Sequence, residues 1–244
     1  VTGCEFMKVL ALETSSTMGS AALSIDGKVL AFETSMNQRA HSEFINPAID
    51  RCLQKANLKL KDIDIFAASL GPGSFTGIRV AANIAKSFCY TFQKPMVAID
   101  SLTLMAIQAR KTTGWTGPIL SILNAYKNLL YTGLFSSVES ASDEAFVFQT
   151  GPAAISIQDI EKHVLSLNSQ VLCVGEGYLA YEALWSKNFR QKIRRESAVL
   201  DFPSAETLAV EASRRAKLNQ TIEWNSYLPL YIRASEAEEN LRVK

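Results

Sequence analysis

The amino-acid sequence predicts an α/β fold in which mixed sheets are covered by helices. Three observations carry that expectation. Short apolar runs of strand length alternate with longer amphipathic runs along most of the 244 residues. Asp26-Gly27 stands between two strand patterns, a strong hairpin signal. An apolar run, Ile63 to Leu70, leads through three glycines and a proline into a long helical pattern. Such a strand, Gly-rich turn and helix brings backbone N–H groups to an anion or to a partner.

In chain order, Lys8 to Glu13 reads as a strand, and Thr14 to Thr17 as a polar turn. Ala21 to Ile25 and Val29 to Thr34 complete three antiparallel strands. Ser42 to Asn57 is a predicted helix, with Phe44, Ile45, Ala48, Ile49, Cys52 and Leu53 on one stripe. Pro47 should kink or delay it. After the Gly-rich turn, the helix from Ile78 to Phe92 carries a stripe of Ile78, Ala81, Ile84, Ala85, Phe88 and Phe92. Val80, Ala82, Cys89 and Tyr90 leave much of its remaining circumference apolar or small. Arg79, Asn83 and Lys86 are the main interruptions.

Pro95 to Ile99 is a strand, and Ser101 to Arg110 a short helix. Ile119 to Leu123, Leu129 to Phe135 and Ala145 to Gln149 are further strands. A helix from Ser156 to Leu167, a strand from Val171 to Val174, and helices from Tyr178 to Trp185 and Ser204 to Lys217 follow. The two halves, about 7–112 and 117–233, share a rhythm without a repeat at the level of residues. Residues 1–6 read as a disordered extension and 234–244 as a frayed polar tail. The predicted domains are then 7–112 and 113–233.

Composition narrows the function. Apolar residues make up 48% of the chain, enough for a full core. Lys and Arg number 25 against 24 Asp and Glu, a net charge of +1. A stand-alone nucleic-acid binder normally shows a strong basic excess. Cys4, Cys52, Cys89 and Cys173 form no C-x-x-C pair. They read as buried free thiols of a cytoplasmic protein. No apolar run approaches the length of a membrane span.

The chemistry-bearing residues are few. Thr14, Ser15 and Ser16 could cradle a phosphate or form a simple hairpin tip. Gly71, Gly73, Ser74, Thr76 and Gly77 could do the same, or could serve packing alone. Gly71 and Gly73 permit backbone approach that a Cβ would forbid, and Ser74 and Thr76 are candidate N-caps. Gly77 is followed by Ile78 and Arg79, so the loop is not of the Walker type. His41 and His163 are the two histidines, and no H-E-x-x-H or Cys/His cluster offers a metal site. Glu13 and Asp100 are the carboxylates that a kinase reading would assign to Mg²⁺. The basic clusters Arg190 to Arg195 and Arg214 to Lys217 read as solvated helix faces.

Five segments in register carry a resemblance: L-A-L-E-T-S-S with S-A-A-L, His41 with Pro47, G-P-G-S-F-T-G-I-R (Gly71 to Arg79), P-S-A-E-T-L-A (Pro203 to Ala209) and P-L-Y-I-R (Pro229 to Arg233). They resemble the TsaB (YeaZ) family, a non-catalytic subunit for making threonylcarbamoyladenosine in bacterial tRNA. The resemblance runs from Met7 to about Ala234. It implies the fold of actin, sugar kinases and Hsp70 ATPases, with two α/β subdomains around a cleft. It implies a catalytic partner of the same fold, TsaD, which transfers threonylcarbamoyl to N6 of an adenosine beside the anticodon. It further implies the TsaE ATPase in a ternary complex, a homodimer when alone, and tRNA met only through the complex.

The isolated chain is expected to hold no cofactor or metal, with ATP or ADP at the complex interface. Ser101, Thr103 and Met105 stand where TsaD-like chains have H-x-E-G-H. The implied partner interface is formed by His41, Phe44, Ile45 and Ile49 of one helix and Arg79, Val80, Ala82, Asn83, Lys86 and Tyr90 of the next. One departure is N-A-Y-K-N-L-L-Y, Asn124 to Tyr131, where such chains commonly have D-A-R-x-x-E-V-Y. An actin-like ATPase or small-molecule kinase is the alternative. A peptidase would need a metal or triad that the sequence does not offer.

Overall fold

The computed structural model describes residues 6–36, 41–136 and 148–233. The chain forms two compact units, Val1–Ser101 with Pro203–Leu230 and Leu102–Phe202 with Tyr231–Lys244. The predicted extension, apart from Phe6, and the polar tail lie outside the described residues.

The first unit is built on strands β1 (Lys8–Glu13), β2 (Gly19–Ile25), β3 (Lys28–Ser35), β4 (Ile65–Ser69) and β5 (Met96–Ile99), in the order β3-β2-β1-β4-β5. β1, β2 and β3 run antiparallel, whereas β4 and β5 lie parallel to β1. Asp26 and Gly27 both have positive φ, as the two-residue β2–β3 turn requires. Helices α1 (His41–Ala56) and α2 (Phe75–Phe92) follow β3 and β4. Their buried residues, Ile45, Ile49, Cys52, Ala81, Ala85 and Cys89 among them, share one core with Leu10, Leu23 and Phe66. Pro47 does not delay α1, which already begins at His41.

The second unit contains helix α3 (Ser101–Thr113) from Leu102 onward and strands β6 (Ile119–Asn124), β7 (Leu129–Phe135) and β8 (Phe148–Ser156). After these come helix α4 (Ile157–Leu165), strand β9 (Val171–Val174), helices α5 (Gly177–Ala180) and α6 (Lys187–Lys192), and strand β10 (Ile193–Arg194). Its sheet order is β10-β9-β6-β7-β8. β6, β7 and β8 are antiparallel, with β9 parallel to β6 and β10 to β9. The two sheets therefore share one topology. The rhythm seen in the sequence is a repeat of strand order.

Several boundaries differ from expectation. Ala145 to Val147 lie outside the described residues, and β8 continues to Ser156 through Gly151 and Pro152. An edge strand tolerates both residues. The helix expected from Tyr178 to Trp185 is α5 followed by a 3₁₀ turn, Glu182–Leu184.

The division at 112/113 also needs correction. Helix α7 (Ala205–Lys217) returns to the first unit, where it buries Leu208, Ala209 and Ala212. Ser20 Oγ accepts the Ala205 N–H at 3.0 Å, and Ser24 Oγ donates to the Ala209 carbonyl at 3.3 Å. Tyr227 Oη donates to the Ser69 carbonyl at 2.6 Å. Among the described residues no helix is long and apolar enough to cross a membrane.

Candidate functional site

The two hydroxyl- and glycine-rich turns meet at one end of the first sheet. β1 delivers Glu13 to Ser16, and β4 delivers Gly71 to Gly77. Ser74 caps α2 by accepting the Gly77 N–H at 3.2 Å, while Thr76 lies exposed in the first helical turn. Thr14 Oγ1 donates to the Gly77 carbonyl at 2.6 Å. The Ser15 carbonyl accepts the Ser74 N–H at 2.6 Å. Ser15 Oγ pairs with Ser101 Oγ at 2.7 Å, and the Ser101 N–H donates to the Gly71 carbonyl at 2.8 Å. Ser16 Oγ and Met18 backbone groups pair at 3.3 Å. Thr14, Ser15 and Ser16 are all buried. The two candidate phosphate loops thus bind one another.

The glycines permit this closure. A Cβ on Gly73 would lie 2.0 Å from the Ser15 carbonyl oxygen, and one on Gly77 would lie 1.8 Å from that of Thr14. Gly77 is helical, so it is required for close approach and not for backbone freedom.

Behind the knot lies Glu13, fully buried. Its Oε1 accepts the Ser15 N–H at 2.5 Å. Burial pushes its carboxyl above the ordinary glutamate range, and the hydrogen bonds from Ser15 and Ser69 offset this only in part. A fully buried carboxyl that burial biases toward its protonated form is poorly suited to hold Mg²⁺. Ser101, Thr103 and Met105, the positions compared with a metal motif, are also buried. Met105 packs with Leu102, Ala106 and Val174 in the second unit's core. Among the described residues no three His, Cys, Asp or Glu side chains converge as metal ligands.

His41 closes the neighbouring turn. Its Nε2 donates to the Ser16 carbonyl at 2.9 Å, and Nδ1 packs against Gly19. It is buried, as are Ile45 and Ile49, so none of the three can offer surface to a partner. Ala82, expected on the outer face of α2, is likewise buried at 3% exposure. These four assignments are corrected for one reason. Each is turned inward: Ile45 and Ile49 lie on the stripe already read for α1, and Ala82 joins the same core from α2, whose apolar stripe is wider than the sequence reading allowed.

The outward face of α2 is instead Arg79, Asn83, Ser87, Tyr90 and Thr91, with Val80 and Lys86 half-buried beside it. Phe44 is half-buried on α1, under the Arg51 guanidinium at 6.0 Å. Arg79 stacks on the Phe75 ring at 3.9 Å. Tyr90 is 61% exposed and meets Trp224 edge-on, with ring centroids 5.5 Å apart. Lys86 Nζ stands 5.8 Å from the Trp224 ring and 5.9 Å from that of Tyr227. Trp224 escaped the sequence reading because it lies some 130 residues from α2 and belongs to no periodic pattern.

A second ordered tip joins β6 to β7. Tyr126, Lys127 and Asn128 all have positive φ, at 59°, 54° and 61°. Asn124 Oδ1 accepts the Tyr126 N–H at 2.9 Å and the Tyr181 hydroxyl at 3.2 Å, and that hydroxyl accepts the Asn128 N–H at 3.2 Å. Arg233 donates to the carbonyls of Ala125 and Tyr126. Arg195, assigned from sequence to a solvated basic cluster, is instead paired with buried Asp201 at 2.7 Å.

Comparison with known proteins agrees with this architecture. A family model described as TsaD, tRNA N6-adenosine threonylcarbamoyltransferase, matches residues 34–241. The tRNA threonylcarbamoyladenosine biosynthesis protein TsaB of Escherichia coli (strain K12) is 27% identical over 239 residues, 98% of this chain and 100% of that one. The protein of the same name from Haemophilus influenzae is 32% identical over 187 residues, 75% of this chain and 77% of that one. The solved structure of YeaZ from Pseudomonas aeruginosa superposes with a TM-score of 0.74 at 21% identity, covering 92% of this chain and 99% of that one. The chain belongs to the TsaB (YeaZ) family of tRNA threonylcarbamoyladenosine biosynthesis proteins, within the wider group that the threonylcarbamoyltransferase model describes.

Proposed function

We propose that this chain is a non-catalytic subunit that activates the threonylcarbamoyltransferase TsaD by docking on it through the outer face of α2 and the adjoining edge of α1. The observation that carries this reading is the closed knot of Thr14, Ser15, Ser74 and Gly77, whose hydroxyl and backbone groups are engaged with one another. Phosphate binding would require those bonds to be given up. The metal-motif positions Ser101, Thr103 and Met105 are buried and carry no ligand set.

The revised docking face is Arg79, Val80, Asn83, Lys86 and Tyr90, with Phe44 at its margin. It joins an exposed aromatic ring to fixed cations, the residue types enriched at interface centres. A standard interface takes about 800 Å² from each partner. The same face would pair two copies of this chain in the absence of TsaD. In the assembled complex, ATP or ADP and the TsaE ATPase would lie at the junction, and tRNA would be met through the complex.

The test is reconstitution of threonylcarbamoyl transfer to tRNA from purified components. TsaD with this chain should be active, and this chain without TsaD inactive. Transfer or ATP turnover by the chain alone would overturn the reading.

A further inference from the structure

A cavity of about 180 Å³ lies within the second unit, between helix α4 and strands β6, β7 and β8. Protein interiors are close-packed and hold few voids larger than a water molecule. The strand register accounts for this one. Thr132 pairs with Ala153 across β7 and β8, between the pairs Leu134–Thr150 and Leu130–Ile155. Two short side chains therefore stand side by side where the sheet faces α4, and they leave space beneath the helix. The Thr132 hydroxyl donates to the Leu130 carbonyl at 3.1 Å. The floor of the cavity is apolar, with Leu134, Ile160 and Val164 all buried. Ile160 and Val164 lie one turn apart on α4 and so share its inner face.

The mouth is polar. Thr150 Oγ1 and His163 Nε2 stand 3.3 Å apart across it. Asp159, one helical turn before His163, is fixed by the N-cap of α4. Ser156 Oγ donates to its carboxylate at 2.7 Å and accepts its N–H at 3.2 Å. Lys162 Nζ lies 3.3 Å from the same carboxylate and balances its charge.

We propose that this cavity is a binding site for a small neutral ring compound bearing one hydroxyl group, with the ring on the apolar floor and the hydroxyl bonded at Thr150 in the mouth. Small-molecule sites pair an apolar lining with a few polar groups that fix orientation. The volume suits one ring, since an apolar cavity of roughly 150 Å³ takes benzene. A charged ligand is disfavoured, because the floor offers it no partner and Asp159 already has Lys162. The site lies in the second unit, whereas the α1–α2 docking face lies in the first.

The full chain, labelled at its Ile, Leu and Val methyl groups, is titrated with phenol and with benzene and followed by NMR. Both should produce saturable shifts at Leu134, Ile155, Ile160 and Val164. Phenol should bind about fivefold more tightly than benzene, as one further hydrogen bond predicts. Thr150→Val should remove that advantage and leave benzene binding unchanged. Val164→Phe should fill the cavity and abolish binding of both. Saturating phenol should raise the wild-type melting temperature.

The absence of saturable shifts with both compounds would overturn the proposal. So would shifts that grow without saturation over surface methyl groups, which would mean adventitious binding only. Equal phenol affinity in Thr150→Val and the wild type would overturn the assignment of the hydroxyl. If Val164→Phe does not fold, the position of the shifted methyl groups and the Thr150→Val comparison still decide. TsaD and tRNA are absent from these titrations, so the subunit role stands or falls separately.

Discussion

The carbonyl oxygen of Ser15 lies 2.0 Å from where a Cβ on Gly73 would stand, so these residues can be neighbours only while position 73 carries no side chain. The same holds for Thr14 and Gly77, at 1.8 Å. Backbone cannot yield as a flexible side chain can, so each substitution must push the two turns apart. Gly73→Ala and Gly77→Ala should each cost about 2–3 kcal/mol in urea denaturation. Gly151→Ala, where nothing lies within 4 Å of the added methyl, should be close to neutral. Equal stability in all three variants would mean that the knot is not closed in solution.

The two faces of α2 should separate folding from binding. Ala82 is buried in the core shared with Leu10 and Phe66, so Ala82→Arg should unfold the first unit. Asn83 is its exposed neighbour, and Asn83→Arg should keep the wild-type circular dichroism spectrum and melting temperature. At the proposed docking face, Tyr90→Ala should weaken TsaD association by more than about 2 kcal/mol. Calorimetric titration of TsaD with a folded Tyr90→Ala that binds like the wild type would exclude this face.

Glu13 should make stability depend on pH with an unusual sign. Burial raises its folded-state pKa above the ordinary value of 4.5. The folded chain therefore keeps its proton through a pH range in which the unfolded chain has lost it. The stability from this source is complete below the ordinary value and is lost as pH rises through the folded one. Glu13→Gln cannot titrate. Its melting temperature relative to the wild type should therefore climb from about pH 5 to about pH 8. A constant difference across that range would show that Glu13 is not held protonated.

Asp201 is 2% exposed, receives two bonds from the Arg195 guanidinium and accepts the Gly175 N–H at 2.9 Å. Asp201→Ala strands both donors and should cost about 3–5 kcal/mol in urea denaturation. Asp201→Asn, which keeps an acceptor for Gly175, should lose less. A loss below about 1 kcal/mol for alanine would show that the pair is solvated.

The strands and helices of the first unit were legible because their signals are local. The Asp26-Gly27 turn, the run into β4 and the Ser74 cap each lie within a few residues. What the sequence could not reveal is what faces what. Ala82 and Tyr90 look equally available on a helical wheel, but the sheet and Trp224 decide which of them is covered. Arg195 looked like one of several surface cations until the buried carboxyl of Asp201, six residues on, was placed against it. The hydroxyls of Thr14 and Ser15 suggested a phosphate cradle because their partners, Gly77, Ser74 and Ser101, are 59 to 86 residues away. The left-handed run left a signal only at Asn128, since neither Tyr126 nor Lys127 is of a type that favours that backbone.

The return of α7 to the first unit sets an order of events during synthesis. The main body of the second unit, residues 102–202, is one unbroken stretch that can close as soon as it leaves the ribosome. The first unit is translated earlier but must wait for Ala205–Lys217 to cover its sheet and for Tyr227 to reach the Ser69 carbonyl. Its half-finished face stays open while about a hundred further residues emerge. A nascent chain stalled before α7 should therefore be protease-resistant in its later half and sensitive in its earlier one.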